Sequence, residues 1–131
     1  RELREATSRL QGFKRGLDSA GLLDPPPQKH AMVWHTQRVI SGLKKLAMPE
    51  CRHEFVKRLL VAALEWPRAE QGRVSQLLSD LRAHGVLLPE DLQWGAMRLL
   101  GQMGDLTLDC PGAAAQVAQL LRAQADGGLL P

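Results

Sequence analysis

Aromatic residues and cysteine are scarce in this sequence, and long apolar runs are missing. The 131 residues include no Tyr, two Phe, three Trp and two Cys. Because single-stranded RNA binding usually needs aromatic side chains for base stacking, this scarcity weakens that interpretation. Cys51 and Cys110 are too few for a disulfide framework and form no C-x-x-C pair, which favours free thiols in a reducing, intracellular setting. No apolar run approaches the roughly 18 residues that cross a bilayer, so a membrane-spanning segment is excluded.

The residue patterns of enzymes are also missing. His53-Glu54-Phe55-Val56-Lys57 begins like the zinc-protease motif H-E-x-x-H, but Lys57 stands where the second histidine is needed. No G-x-x-x-x-G-K-[ST] phosphate loop and no G-x-S-x-G nucleophile turn occurs. The four histidines are scattered, and we expect them at the surface or at helix ends. These absences predict a non-enzymatic protein with no cofactor and no metal ion.

Length and charge indicate one soluble domain with unequal halves. A chain of 131 residues can bury a single core, and a hydrophobic fraction of 44% with a mean hydropathy of -0.20 is typical of a soluble globular protein. The start Arg1-Glu2-Leu3, without an initiator Met, predicts a fragment of a longer protein. Residues 1–66 carry twelve Lys or Arg against seven Asp or Glu, whereas residues 67–131 carry five against seven. The basic half suits phosphates, and the acidic half suits a basic protein surface.

Apolar residues recur at helical spacing almost throughout, which predicts an all-α fold. The expected helices cover about residues 2–20, 29–47, 50–66, 69–84, 89–103 and 109–126. The run Pro25-Pro26-Pro27 interrupts this pattern and predicts a linker, so that residues 1–28 form an N-terminal helix with a linker and residues 29–131 form the main domain. Short connections between helices of similar length predict antiparallel hairpins stacked in a HEAT-like array.

The third predicted helix has the broadest apolar face, which places it at the centre of the core. Lys57 and Arg58 stand opposite that face, so we expect them in solvent. Trp66 and Trp94 are expected to pack in the core. For Trp34, which lies in a basic helix, the sequence leaves both core packing and a contact role open.

Three motifs, in a fixed order, resemble the MA-three (MA3) domain of eukaryotic translation regulators. His53 to Arg58, followed by Leu64-Glu65, resembles the family pattern H-E-[LF]-V-K-[RK]…A-L-E. Leu77 to Leu81 with Gly85-Val86-Leu87 resembles its next hairpin. The segment Asp105-Leu106-Thr107-Leu108-Asp109-Cys110-Pro111 resembles a family loop that reads acidic, apolar, any, Leu, Asp, any, Pro. The resemblance covers roughly residues 39–130 and is closest to the programmed cell death protein four type and its plant and algal relatives.

The resemblance implies a HEAT-like domain that binds initiation factor four-A, a DEAD-box RNA helicase. It implies regulation of translation initiation, by inhibition in the cell-death relative, from a monomeric domain of a longer cytoplasmic protein, with the nucleus as a second location. In the family, the two acids of the loop contact the helicase, and they correspond to Asp105 and Asp109. The helicase-binding residues expected on this basis are Asp105, Leu106, Asp109, Pro111, Glu90 and Asp91.

The acids also have local structural interpretations. Asp109 suits the N-terminal cap of the sixth helix, a role worth about 1 kcal/mol. Asp105 would follow a helix C-terminus, where a negative charge gains nothing from the helix dipole, so it would need a partner. Glu90 and Asp91 suit the first turn of the fifth helix, where the dipole favours acids.

The basic half leaves other functions open. The alternative is an RNA- or phosphate-binding domain, whose affinity would fall steeply with salt. Its candidate residues are Arg9, Lys14, Arg15, Lys29, Arg38, Lys44 and Lys45. A solvated basic face is the simpler and preferred explanation of the same residues. An unrelated adaptor that uses the same fold is a third interpretation, because a fold does not fix its partner.

Overall fold

In the computed structural model, residues 2–26 and 31–129 are described, and they contain α-helices and no β-strand. A 3-10 turn, Pro49–Cys51, precedes the third helix. The helices are α1 (Glu2–Ser19), α2 (Met32–Leu46), α3 (Arg52–Ala63), α4 (Arg68–Gln71), α5 (Arg73–Ala83), α6 (Pro89–Leu100), α7 (Met103–Asp109) and α8 (Ala113–Asp126). None of these helices is both long and apolar enough to cross a bilayer. The predicted all-α class and helical stack are confirmed, with six long helices and two short ones within these residues.

Two predicted boundaries differ from the structure. The predicted fourth helix is divided at Gly72 into the single turn α4 and the longer α5, and glycine has the lowest helix propensity after proline. The predicted fifth helix ends at Leu100 rather than near Gly104, and the segment expected as a loop forms α7. The predicted start of the second helix at residue 29, and the last proline of the run, lie outside the described residues.

The contact between α3 and α6 is the most extensive one between two helices of the fold. Phe55, Val56 and Leu59 of α3 are fully buried there. Gly95 of α6 sits directly over α3, because a Cβ atom at this position would lie 2.7 Å from the Val56 Cβ and 2.9 Å from the His53 carbonyl oxygen. Glycine is therefore required for this close approach, and α6 is held tightly in place.

A buried carboxylate reinforces the same contact. The Glu54 side chain is fully buried, and three cations contact it. These ion pairs are Lys57 Nζ to Oε1 at 3.0 Å, Lys14 Nζ to Oε1 at 3.5 Å and Arg98 Nη1 to Oε2 at 2.7 Å. We call these four residues the Glu54 cluster. Burial alone would raise the pKa of Glu54, but the Lys57 ammonium beside it and the charges of Arg98 and Lys14 lower the pKa below its ordinary value.

The expectation that Lys57 faces solvent is wrong. Its side chain is 7% exposed, because a counter-charge for Glu54 is needed inside the protein. Arg58 is half-buried, and its Nη2 lies 3.5 Å from an Asp18 oxygen.

The N-terminal helix α1 packs against α2 and α3. Phe13, Leu17 and Leu22 are buried in the core. Trp66 is buried as expected, and its Nε1 donates a hydrogen bond to the Leu23 carbonyl oxygen at 3.2 Å. The division of the chain at residue 28 stays a prediction, while the packing of α1 makes its apolar residues part of the same core.

The Gly95→Ala substitution is expected to destabilise the protein by about 2 kcal/mol. The added methyl group meets Val56 and backbone at short range, and this overpacking outweighs the gain of about 1 kcal/mol in helix propensity. Gly12→Ala in α1 is the matched control, because a Cβ there meets nothing within 4 Å, and it should stabilise the protein by up to about 1 kcal/mol. Urea unfolding followed by circular dichroism measures both changes, and equal effects of the two substitutions would contradict the close α3–α6 contact.

Glu54→Gln is expected to lower the free energy of unfolding by about 3 kcal/mol at neutral pH, since it leaves the buried Lys57 ammonium without its counter-ion. Glu50→Gln is the control, because its ion pair with Arg9 is exposed and should contribute less than about 1 kcal/mol.

The stability supplied by Glu54 should depend on pH. The pKa of Glu54 is lower in the folded protein, so its contribution is complete above the unfolded pKa of about 4.3 and is lost as the pH falls through the folded pKa. The difference in unfolding free energy between wild type and Glu54→Gln should therefore shrink below about pH 4. A difference that stays constant down to acid unfolding would show that the carboxylate charge is not what holds the Glu54 cluster.

Candidate protein-interaction site

The short helix α7 presents two carboxylates, Asp105 and Asp109, on one of its faces. Residues four apart on a helix are neighbours, with Cβ atoms roughly 5–6 Å apart. Both side chains are exposed, and among residues 2–26 and 31–129 neither has an ion-pair or hydrogen-bond partner. We call these two residues the carboxylate pair. Like charges at this spacing destabilise a helix by a few tenths of a kcal/mol, so a cationic partner would relieve an existing repulsion.

Contacts with the rest of the protein explain why this segment is helical. Met103 and Leu106 stand three residues apart, and both are half-buried against the core. The single hydroxyl proton of Thr107 is shared in a bifurcated hydrogen bond to the carbonyl oxygens of Met103 and Gly104, each 3.0 Å from Oγ1. An isolated helix of seven residues would be unstable in water, so tertiary packing determines the structure of α7.

Because Asp105 and Asp109 belong to α7, the local structural roles predicted for them are wrong. Asp105 lies in the first turn of this helix, where the dipole favours a negative charge, and not after a helix C-terminus. Asp109 is the last residue of α7 and does not cap α8, whose N-cap is Gly112 without a side-chain cap bond. Capping therefore does not account for Asp109, whose position at a helix C-terminus is unfavourable in itself.

The other predicted contact residues lie in different environments. Leu106 packs inward, whereas Pro111 is exposed after α7. Glu90 is exposed in the first turn of α6, and the Asp91 carboxylate accepts a hydrogen bond from the Leu88 backbone N–H at 2.9 Å.

Most of the length of α6 separates Glu90 and Asp91 from the start of α7. They occupy the first turn of α6, and α7 begins only after its last turn, about 15 Å further along the helix axis at 1.5 Å per residue. The pocket that Glu90 and Asp91 line includes no residue of α7. Their roles in binding stay predictions.

Leu108 is a surface residue that the sequence analysis did not select. It occupies the Leu position of the D-x-x-L-D pattern directly before Asp109, and it is 82% exposed. An exposed large apolar side chain beside two carboxylates combines the two kinds of contact that protein interfaces use. Counting helical positions from Leu106, which faces the core, would have placed Leu108 outside, provided that α7 had been predicted as a helix.

An apolar groove of about 410 Å³ lies on another side of α7. Its lining comes from the end of α6, from α7 and from α8, and comprises Leu100, Met103, Gly104, Thr107, Ala114, Val117, Ala118 and Leu121. At 100° per residue, Met103 and Thr107 point roughly opposite to the carboxylate pair. A ligand in this groove would therefore not contact the two acids.

The expectation that Trp94 packs in the core is wrong. Trp94, Met97 and Leu100 form an exposed row along α6, with 52%, 61% and 53% of each residue accessible. The Trp94 ring makes an edge contact with His53, at 6.2 Å between ring centroids. Burial, and then the charge of Arg98, lower the pKa of His53. Trp34, for which the sequence left two interpretations open, is also exposed.

The basic residues of the alternative function are partly occupied by internal partners. Arg9 pairs with Glu50, and Lys14 belongs to the Glu54 cluster. Arg38 donates a hydrogen bond to the Ala20 carbonyl oxygen at 2.8 Å.

The rest of that basic set is either exposed or not described. Arg15, Lys44 and Lys45 have exposed side chains, and Lys29 lies outside the described residues. RNA binding by this set stays a prediction.

Comparison with known proteins gives one family and several plant relatives. A family model described as the MA3 domain matches residues 35–131. MA3 domain-containing translation regulatory factor 4 of Arabidopsis thaliana is 36% identical over 91 residues, which are 70% of this chain and 14% of that protein. Factor 2 of the same plant is 32% identical over 93 residues, 71% of this chain and 13% of that protein. The chain thus spans a small part of these relatives' length, and no solved structure matches it.

Asp91→Ala is expected to lower the unfolding free energy by about 1 kcal/mol, because it removes the side-chain bond to the Leu88 N–H at the start of α6. Asp109→Ala should change stability by less than about 0.5 kcal/mol, since its carboxylate has no internal partner and stands at a helix C-terminus. Thermal or urea unfolding of both variants measures the difference. A loss of about 1 kcal/mol for Asp109→Ala would restore the capping interpretation that the structure contradicts.

Proposed function

Because this chain belongs to the MA3 domain family, we propose that it is a non-enzymatic protein-interaction domain that binds the DEAD-box RNA helicase initiation factor four-A. Binding would regulate translation initiation, by inhibition of the helicase. The similar plant proteins are named translation regulatory factors, which supports the process. The carboxylate pair supports the location of the binding site on α7.

The carboxylate pair supports this function because it is exposed and has no hydrogen-bond or ion-pair partner among the described residues. Each carboxylate can accept charge-assisted hydrogen bonds from Arg or Lys, and Arg can bind one carboxylate through two parallel bonds. The two acids repel each other on α7 in the free protein. A basic helicase surface would replace that repulsion with attraction, and Leu108 would add an apolar contact beside it.

The rigidity of this site also supports binding. α6 is fixed on α3 by the Gly95 contact and by the ion pair of Arg98 with Glu54, and α7 follows α6 after two residues. Packing of Leu106 against the core then fixes the rotation of α7 about its axis. The backbone that carries both carboxylates is therefore positioned before binding, which lowers the ordering cost of association.

The domain would inhibit the helicase by covering part of its surface, without any chemical reaction. A domain that holds the helicase through a small acidic site excludes other proteins that need the same basic surface. A single copy of the domain lacks the avidity of two linked copies, so we expect moderate affinity.

Isothermal titration calorimetry with purified initiation factor four-A tests the site. Asp105→Asn and Asp109→Asn each remove one charge with little change in shape, and each is expected to weaken binding by at least about tenfold, because loss of a central charged contact costs about 2 to 5 kcal/mol. Asp126→Asn is the matched control, since this exposed acid ends α8 and should leave the affinity unchanged. Circular dichroism of every variant verifies that the helices are intact.

Two results would count against the proposal. If neither Asp105→Asn nor Asp109→Asn changes the affinity while the wild type binds, the site lies elsewhere on the domain. If the wild type shows no binding to the helicase at concentrations where folded protein is verified, the partner itself is wrong.

A further inference from the structure

A cleft of about 340 Å³ lies between α1 and α3, and all of its charged side chains are cations. Lys14 comes from α1, whereas Lys57 and Arg58 come from α3. No carboxylate of the described residues lines it. We propose that this cationic cleft binds the phosphate group of a phosphorylated side chain. The cleft uses other residues than the carboxylate pair of α7, so this inference does not rest on helicase binding.

The charges around the cleft are not balanced within the protein. Lys14 Nζ and Lys57 Nζ share one oxygen of Glu54, and Arg98 takes the other oxygen. One carboxylate therefore serves three cations, and the ammonium groups of Lys14 and Lys57 are held close together. Because Lys57 is almost fully buried, water screens its charge less than at an open surface. A bound anion would supply the missing negative charge.

Arg58 adds to the same cleft a guanidinium whose internal ion pair is weak. Its contact with Asp18 is long, at 3.5 Å, and the Asp18 side chain is 61% exposed, which makes this a weak surface pair. The buried Nε of Arg58 has no acceptor among the described residues. A guanidinium carries five N–H donors in a plane that matches phosphate oxygens. Arg58 can therefore bind a phosphate while its internal contacts cost little to replace.

The size and lining of the cleft favour a phosphorylated side chain. Leu23 and Val61 contribute apolar surface beside the cations, which suits the carbon atoms that carry the phosphate. The volume is at the lower end of the 300–1,000 Å³ that is typical of ligand pockets, and it exceeds what a bare phosphate needs. RNA is less well suited. No aromatic side chain lines the cleft for base stacking, and its three cations line one small cleft instead of following a strand.

Nuclear magnetic resonance titration of the isotope-labelled 131-residue chain tests this site at constant ionic strength. The probes are O-phosphoserine, serine, inorganic phosphate and an RNA oligonucleotide without terminal phosphates. O-phosphoserine is expected to shift the backbone amides of Lys14, Arg58 and Ala62 in a saturable way, and serine should not. Arg58→Gln and Lys14→Gln should each weaken O-phosphoserine binding by about tenfold, as for loss of a charge-assisted hydrogen bond. Arg15→Gln is the matched control, since it removes the same charge one residue away, outside the cleft, and should leave the affinity unchanged.

Arg58 does not contact Glu54, so Arg58→Gln remains informative if Lys14→Gln disturbs the Glu54 cluster. Equal weakening by Arg15→Gln would show a diffuse charge effect and overturn the site. Absence of saturable shifts with O-phosphoserine would do the same. If inorganic phosphate binds as tightly as O-phosphoserine, a phosphorylated side chain is not the ligand. If the RNA binds more tightly than O-phosphoserine through the same residues, the ligand is RNA.

Discussion

The close packing of α6 on α3 is the constraint on which the rest of the structure depends. A glycine at position 95 allows the two helices to approach until backbone and side chain nearly touch, and an ion pair between Arg98 and Glu54 spans the same contact. Because α6 cannot shift, the segment that follows it starts from a fixed point. The packing of Met103 and Leu106 against the core then sets the direction in which the short helix α7 presents its two acids.

The buried carboxylate of Glu54 links stability and surface chemistry. A buried charge must be paired, and here the pairing draws one lysine from α1, one from its own helix and an arginine from α6. The α1 contribution ties residues before the family match to the core of the domain. The surplus of positive charge faces a cleft, while the acids stand on α7. One small domain therefore carries two oppositely charged sites that could bind different chemical groups.

Periodicity was sufficient to locate the six long helices, because each buries a regular apolar face. It was not sufficient for α7, whose glycines at 101 and 104 indicate a turn and whose helical form depends on Leu106 meeting the core. Lys57 was expected in solvent because charged residues are rarely buried. Lys57 lies three residues after Glu54, on a helix that is buried on nearly all sides. This spacing in the sequence indicates an internal ion pair. The three motifs identified the family correctly, since the family match covers residues 35–131, but they could not show which side chains of the loop face outward.

The helicase-binding role proposed for the outward face of α7 can be tested by mapping the contact surface directly on the domain. Backbone amide chemical shifts of the labelled chain, recorded with and without unlabelled initiation factor four-A, report which residues meet the helicase. We predict that the largest changes fall on α7, from Asp105 to Asp109, with α1 and α2 little affected. Changes confined to α1 and α2, with α7 unperturbed, would contradict the account.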